Sequence, residues 1–184
     1  GNYTLSLFEQ IEGSQYKALK QTKATVTSES AEDVYLSSNV KLPWKEYKLT
    51  ESYGKSLLTD SMTDRQKAET LYNDLVASFS YDYSKASNLT GSYISDADKT
   101  LESMDGICID FATVYAAILR EYEIPTKVVK GYKNDIDVYH AWNEVFIEGE
   151  WLTVDITYNN AYVKAGYNAT FIMDASNYET NSNY

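Results

Sequence analysis

Asp105-Gly106-Ile107-Cys108-Ile109-Asp110-Phe111-Ala112-Thr113-Val114-Tyr115-Ala116-Ala117-Ile118-Leu119-Arg120-Glu121-Tyr122-Glu123-Ile124-Pro125 is the stretch on which the reading of the fold turns. Asp105-Gly106 is a turn signal, and a helical pattern begins at Cys108. Phe111, Val114, Tyr115, Ile118 and Tyr122 recur at helical spacing and predict one buried stripe. Pro125 ends the helix, because it lacks an N–H and clashes with the preceding turn. Downstream, residues 126–132 are short and β-branched, as a strand requires. Residues 133–138 are polar and read as a loop. Residues 140–147 and 151–156 read as two strands joined by a hairpin turn at Glu148-Gly149. Residues 170–173 add a last strand.

Upstream, a second helix is expected over 63–79. Thr63 and Gln66 stand at capping-box spacing, and Ala68, Leu71, Tyr72, Leu75, Val76 and Phe79 make one apolar stripe. Tyr81-Asp82-Tyr83 follows, then a loop of Ser, Asn, Thr and Gly to about residue 100, and one helical turn at 101–104. Residues 1–60 are mixed and Lys-rich. Leu5 to Phe8 and Val34 to Leu36 suit short strands or helix pieces, and 22–33 reads as a loop or an exposed edge. Pro43-Trp44 interrupts any helix there. Helices followed by strands argue for the α+β class over a parallel α/β sheet. The chain reads as a single domain over 1–184, with 1–60 as an N-terminal extension and 61–175 as the core.

With 184 residues and 43% hydrophobic composition, the chain can build a core without staples. Sixteen Lys+Arg against 27 Asp+Glu give a net charge of −11, which disfavours phosphate backbones and anionic lipid, so no nucleic-acid partner is expected. No apolar run is long enough to span a bilayer. A single Cys excludes an internal disulfide framework and a zinc site of several thiolates. A start at Gly1 is that of a processed or trimmed chain. Together with eighteen Tyr and many Asn and Ser, it suits an exported bacterial protein, secreted or on the cell surface.

The single Cys, the single His and one Asp fall where they can act together. Cys108 follows a Gly turn and opens a helix, where unpaired N–H groups carry partial positive charge. Such a place favours thiolate, and the same N–H groups can receive an oxygen that becomes negative during acyl transfer. Elsewhere a lone Cys is a small buried packing residue. A two-residue turn at Glu148-Gly149 sets Ile147 opposite Glu150, Trp142 opposite Asp155 and His140 opposite Thr157. His140 and Asp155 are then diagonal neighbours on one face, with Trp142, Phe146 and Trp151. Ala141, Val145, Ile147, Leu152, Val154 and Ile156 make the other, apolar face. The helix of Cys108 is expected to pack on the aromatic face, with Asp155 holding one imidazole nitrogen and leaving the other for the thiol. Nucleophile, base and orienting carboxylate is the logic of cysteine acyl transfer.

The ordered set Gly106-Ile107-Cys108-Ile109-Asp110-Phe111-Ala112, Leu119-Arg120, Ile124-Pro125, Gly131-Tyr132, His140-Ala141-Trp142-Asn143-Glu144-Val145 and Trp151-Leu152-Thr153-Val154-Asp155-Ile156-Thr157 resembles the transglutaminase-like superfamily. The resemblance implies a papain-like α+β core in which the nucleophile-bearing helix packs on an antiparallel sheet. It implies Cys108 as nucleophile, His140 as base and Asp155 as orienter. Glu123 stands where the family often has Gly, and Ile156 where it often has Pro. The backbone N–H of Cys108 supplies one oxyanion donor. Tyr81, Tyr83, Trp44 and Trp142 are the candidates for a second donor or for substrate contact.

The function expected on this basis is acyl transfer on peptide or side-chain amides through a Cys108 thioester. Water as acceptor gives a peptidase or amidase, and an amine gives transamidation. No metal or organic cofactor is implied, and no EF-hand loop occurs. The expected partner is a protein or peptide, cell-wall peptide included. A different class of reading is an idle module of the same fold that binds cell-surface peptide or glycan. A third, a Cys/His/Asp metal site, lacks a fourth ligand.

Overall fold

The residues after Ile107 can bury themselves on every side, and they do. Every residue from Ile109 to Arg120 is buried. A helix buried all round belongs at the centre of its unit, and the elements of that unit collect about this one. In the computed structural model, residues 1–28, 30–91 and 93–184 are described. Glu29 and Ser92, which fall in stretches read from sequence as polar loop, lie outside the described residues.

The chain divides into two compact units, Gly1–Asp33 and Val34–Tyr184, whereas the sequence reading sets its boundary at residue 60. The first unit is built on β1 (Asn2–Glu12) and β2 (Gln15–Thr25), an antiparallel pair running from Asn2↔Thr25 to Glu12↔Gln15 with a register shift after Leu7. Tyr3, Leu5, Leu7 and Phe8 are exposed on it.

A 3-10 turn at Glu32–Leu36 crosses into the second unit, where another at Trp44–Glu46 leads to α1 (Leu49–Leu57) and α2 (Asp64–Ser78). The Thr63/Gln66 capping box is present, and the predicted stripe from Ala68 to Phe79 is buried. Then come β3 (Ser80–Tyr81), α3 (Tyr83–Ser87), α4 (Ala97–Ser103), β4 (Asp105–Gly106) and α5 (Cys108–Glu121). The remainder is β5 (Thr126–Lys133), β6 (Ile136–Ile147), β7 (Glu150–Val154), α6 (Ile156–Lys164) and β8 (Tyr178–Asn183).

β7, β6, β5 and β8 form one antiparallel sheet in that order. The mixture of helices with an antiparallel sheet is the α+β class, with the helix of Cys108 against the sheet. Glu148 and Gly149 both have positive φ, as a two-residue hairpin turn requires. The predicted register follows, from Ile147↔Glu150 to Asn143↔Val154.

Four local expectations are corrected. α5 packs on the aliphatic face: Ala141, Val145, Ile147, Val154 and Ile156 share its core, and Asn143 Nδ2 donates to the Ala112 carbonyl at 2.9 Å. An all-apolar helix needs an apolar partner, and the aromatic face is covered elsewhere, with Trp142 against Tyr178 of β8 at 5.0 Å. The strand expected over 151–156 stops at Val154, because Asp155 caps α6 and turns the backbone out of the sheet. His140 is therefore paired with Gly131 and has no partner at Thr157. Residues 170–173 are not a strand, since Phe171 packs its ring against Tyr72 at 5.2 Å, and Tyr178–Asn183 takes the last place in the sheet. Finally, the expected loop at 133–138 shrinks to a tight turn, with Lys133 paired to Ile136.

Candidate active site

Cys108 is the first residue of α5, and its thiol is half-buried. The turn before it is fixed by Asp110, whose Oδ2 accepts the Ile107 N–H at 3.0 Å. A Cβ on Gly106 would come within 2.8 Å of the Asp110 Cβ, so only glycine allows this approach. Asp110 is buried, and its carboxylate also accepts from Lys85 Nζ at 2.7 Å, the Tyr93 hydroxyl at 2.6 Å and the Ser95 hydroxyl at 2.7 Å. The N–H groups of Ile107 and Asp110 are thus engaged, the latter with the Ile107 carbonyl. That of Cys108 donates to no group among the described residues. It is the unpaired donor expected at a helix start.

β3 and β4 run parallel for two residues, pairing Tyr81 with Gly106. Ser80 N–H donates to the Met104 carbonyl and Asp82 N–H to that of Gly106, at 2.9 and 2.8 Å. This carries Tyr81 to the turn before Cys108, its ring 4.9 Å from Tyr83 and 6.5 Å from Phe111. Burial, then the charges of Cys108, Tyr83 and Asp110, hold the Tyr81 hydroxyl in its protonated form. Tyr83 is 75% exposed and stands at the rim.

The other half of the site comes from the sheet. His140 and Asp155 are both buried, and His140 Nε2 meets Asp155 Oδ2 at 2.8 Å. The Tyr178 hydroxyl donates to the same oxygen at 3.1 Å, while Oδ1 accepts the Tyr158 N–H at 3.0 Å as the cap of α6. Burial alone would lower the proton affinity of His140. The charge and hydrogen bond of Asp155, with a further contribution from Cys108, overcome it and push the imidazole up to about 10. With Nε2 held by Asp155, Nδ1 is the nitrogen left for the thiol.

Trp142 is a sequence candidate for oxyanion or substrate contact. It is 1% exposed, stacks on His140 at 6.2 Å and packs against Tyr178, and its Nε1 has no partner among the described residues. It is a wall behind the imidazole. Trp44 Nε1 is already used, donating to the Leu36 carbonyl at 3.0 Å.

Asp110 and Tyr178 were missed from sequence. Asp110 stands three residues after Ile107, the carboxylate position of a capping box, but an apolar residue at the cap hid the signal. Tyr178 opens a polar, exposed edge strand that carries no apolar alternation to betray it. Among the described residues, no three His, Cys, Asp or Glu side chains converge as metal ligands, and no helix is long and apolar enough to cross a membrane.

Two solved structures share the fold. A candidate cysteine protease from Cytophaga hutchinsonii is similar over 100% of this chain and 70% of its own, with a TM-score of 0.63 and 14% identity. Legionella pneumophila LapG is similar over 83% of this chain and 81% of its own, with a TM-score of 0.56 and 14% identity. At such identities the likeness speaks for the fold alone. No curated protein matches the sequence. Residues 51–156, more than half of the chain, match the model of the Transglutaminase-like superfamily, and the chain, with its helix-borne Cys108 on an antiparallel sheet, belongs to that superfamily.

Proposed function

We propose that the protein is a cysteine-dependent acyl-transfer enzyme acting on peptide or side-chain amides, with Cys108 as nucleophile, His140 as acid and base, and Asp155 as orienter. The observation that carries the reading is the buried 2.8 Å contact of His140 with Asp155, which raises the proton affinity of the imidazole beside a thiol at an unpaired helix start. In the reaction Cys108 gives its proton to His140 and its thiolate sulfur attacks the amide carbon. A C–S bond forms, and the carbonyl oxygen takes the electron pair. The Cys108 N–H and the Tyr81 hydroxyl receive that oxygen. The C–N bond then breaks as His140 hands its proton to the leaving amine, which leaves a thioester. Water or a second amine attacks the thioester, His140 takes the proton, and the thiolate departs. Water gives hydrolysis and an amine gives transamidation. The substrate is a protein or peptide, and an exported or cell-surface setting suits the acidic, Tyr- and Asn-rich composition.

The test is mass spectrometry of a peptide library incubated with an amine donor. Wild type is expected to yield cleaved, deamidated or amine-linked products, and Cys108→Ala none. Equal products from both proteins, or none from wild type, would refute the reading and leave an idle binding module of this fold.

A further inference from the structure

α5 lies along β5 and β6 in a fixed register. At its end, Arg120 Nε and Nη2 donate to the Thr126 carbonyl at 2.9 and 2.6 Å. In its middle, the Ala112 carbonyl accepts from Asn143, which is paired with Val128. Further along β5, Lys130↔Ala141 is the pair next to Gly131↔His140, and Lys130 lies near enough to Cys108 to feel its charge.

Lys130 Nζ lies 5.5 Å from the centroid of the Tyr184 ring, and Lys41 Nζ lies 5.0 Å from the same centroid. Tyr184 is held there by backbone bonds to Val128 in both directions, at 3.0 and 3.1 Å. In a chain of net charge −11, acidic partners are plentiful, and Lys85, Lys127 and Lys133 each have one. Among the described residues, neither Lys41 nor Lys130 has a carboxylate within ion-pair distance. Burial lowers the proton affinity of Lys130 and the nearby charge of Lys41 lowers it further, while the charge of Cys108 raises it. Two cations held near each other without a paired carboxylate cost stability, and an incoming carboxylate reduces the cost.

We infer that Lys41 and Lys130, gathered on the Tyr184 ring beside Cys108, receive a carboxylate of the substrate, so that the amide attacked lies next to an acidic residue. The inference rests on the reading of Cys108 as nucleophile and adds the class of substrate. The lysines place the carboxylate by charge, and the ring between them gives its stem an apolar surface.

Peptides identical except for Glu, Gln or Lys on either side of the reacting amide test it. For wild type the Glu/Gln ratio of kcat/KM is expected to be on the order of tenfold at low salt and to shrink at high salt, as screening requires. Lys130→Gln should cut that ratio severalfold, Lys130→Arg should keep it, and Lys130→Glu should turn the preference toward Lys peptides. A ratio near one in wild type, or one that Lys130→Glu leaves in place, overturns the inference. Fluorescence anisotropy of the same peptides on Cys108→Ala separates the two claims. If no peptide is turned over by wild type, acyl transfer fails. The subsite then stands or falls on whether Glu peptides bind more tightly than Gln peptides and Lys130→Glu reverses the order.

Discussion

Two buried carboxylates stand at the starts of two helices, and they are neutralised in different ways. Asp110, in the first turn of α5, has a permanent cation, Lys85, and three neutral donors in Tyr93, Ser95 and the Ile107 N–H. Asp155, at the cap of α6, has a titratable partner, His140, with Tyr178 and the Tyr158 N–H. The first arrangement does not change as a proton moves. It ties Lys85, Tyr93 and Ser95 to the helix start and fixes the turn that carries Cys108. The second is poised, because its cation exists only while the imidazole holds a proton. One carboxylate shapes the site, and the other sets its charge.

The largest effect is expected on the shaping side. Asp110→Ala strands an ammonium, two hydroxyls and an N–H around an emptied position. Loss of about 3–5 kcal/mol is expected in urea unfolding, the range for removing one partner of a buried ion pair. A loss under about 1 kcal/mol would show that the cluster is not the pin described.

The next effect separates the two carboxylates by pH. The imidazole is pushed up to about 10 in the folded chain, against about 6.5 for an ordinary His. The folded state then binds more protons than the unfolded state between those values. The stabilisation from His140 is whole below about 6.5 and drains away as pH rises toward 10, by at most about 1.4 kcal/mol per pH unit. His140→Gln should flatten that slope in unfolding measured from pH 6.5 to 9, and Lys85→Gln should leave it. A slope that survives His140→Gln would remove the distinction between the two sites.

The smallest effect belongs to Tyr178→Phe. It removes one donor to Asp155 and leaves the ring on Trp142. A stability loss of about 0.5–1.5 kcal/mol is expected from unfolding curves. With one hydrogen bond gone, Asp155 holds His140 less firmly, so alkylation of Cys108 by iodoacetamide at pH 6 should slow slightly. A collapse of the fold would place Tyr178 among the pins, with Asp110.

The same contrast explains what could be read in advance. α5, α2 and the hairpin were legible because each follows one rule of local chemistry: an apolar period, a capping box, a turn with positive φ. Cys108 and His140 could be set on their elements for that reason, and the resemblance implied roles for them and for Asp155. The Asp110 cluster was not legible, because its donors come from positions 85, 93, 95 and 107, which no periodicity links. α6 was hidden by its own cap. Asp155 was read as a strand residue because the alternation of β7 runs up to it, while its side chain serves the helix beyond. Phe171 was read as strand because an apolar run was in view, whereas the ring of Tyr72 was not.

Asp155 divides its labour between its two oxygens, and this has a consequence for descent. Oδ1 secures α6 and Oδ2 secures His140 whether or not a sulfur stands opposite. The thiol is half-buried against the core and forms no disulfide. A copy of this chain could therefore lose the proposed acyl transfer in one step, by exchanging Cys108 for a residue of similar size, and keep its shape. The histidine and the aspartate would persist as fossils of a lost trade. In such a lineage the pair would be a poor witness to present activity, and the sulfur the only reliable one.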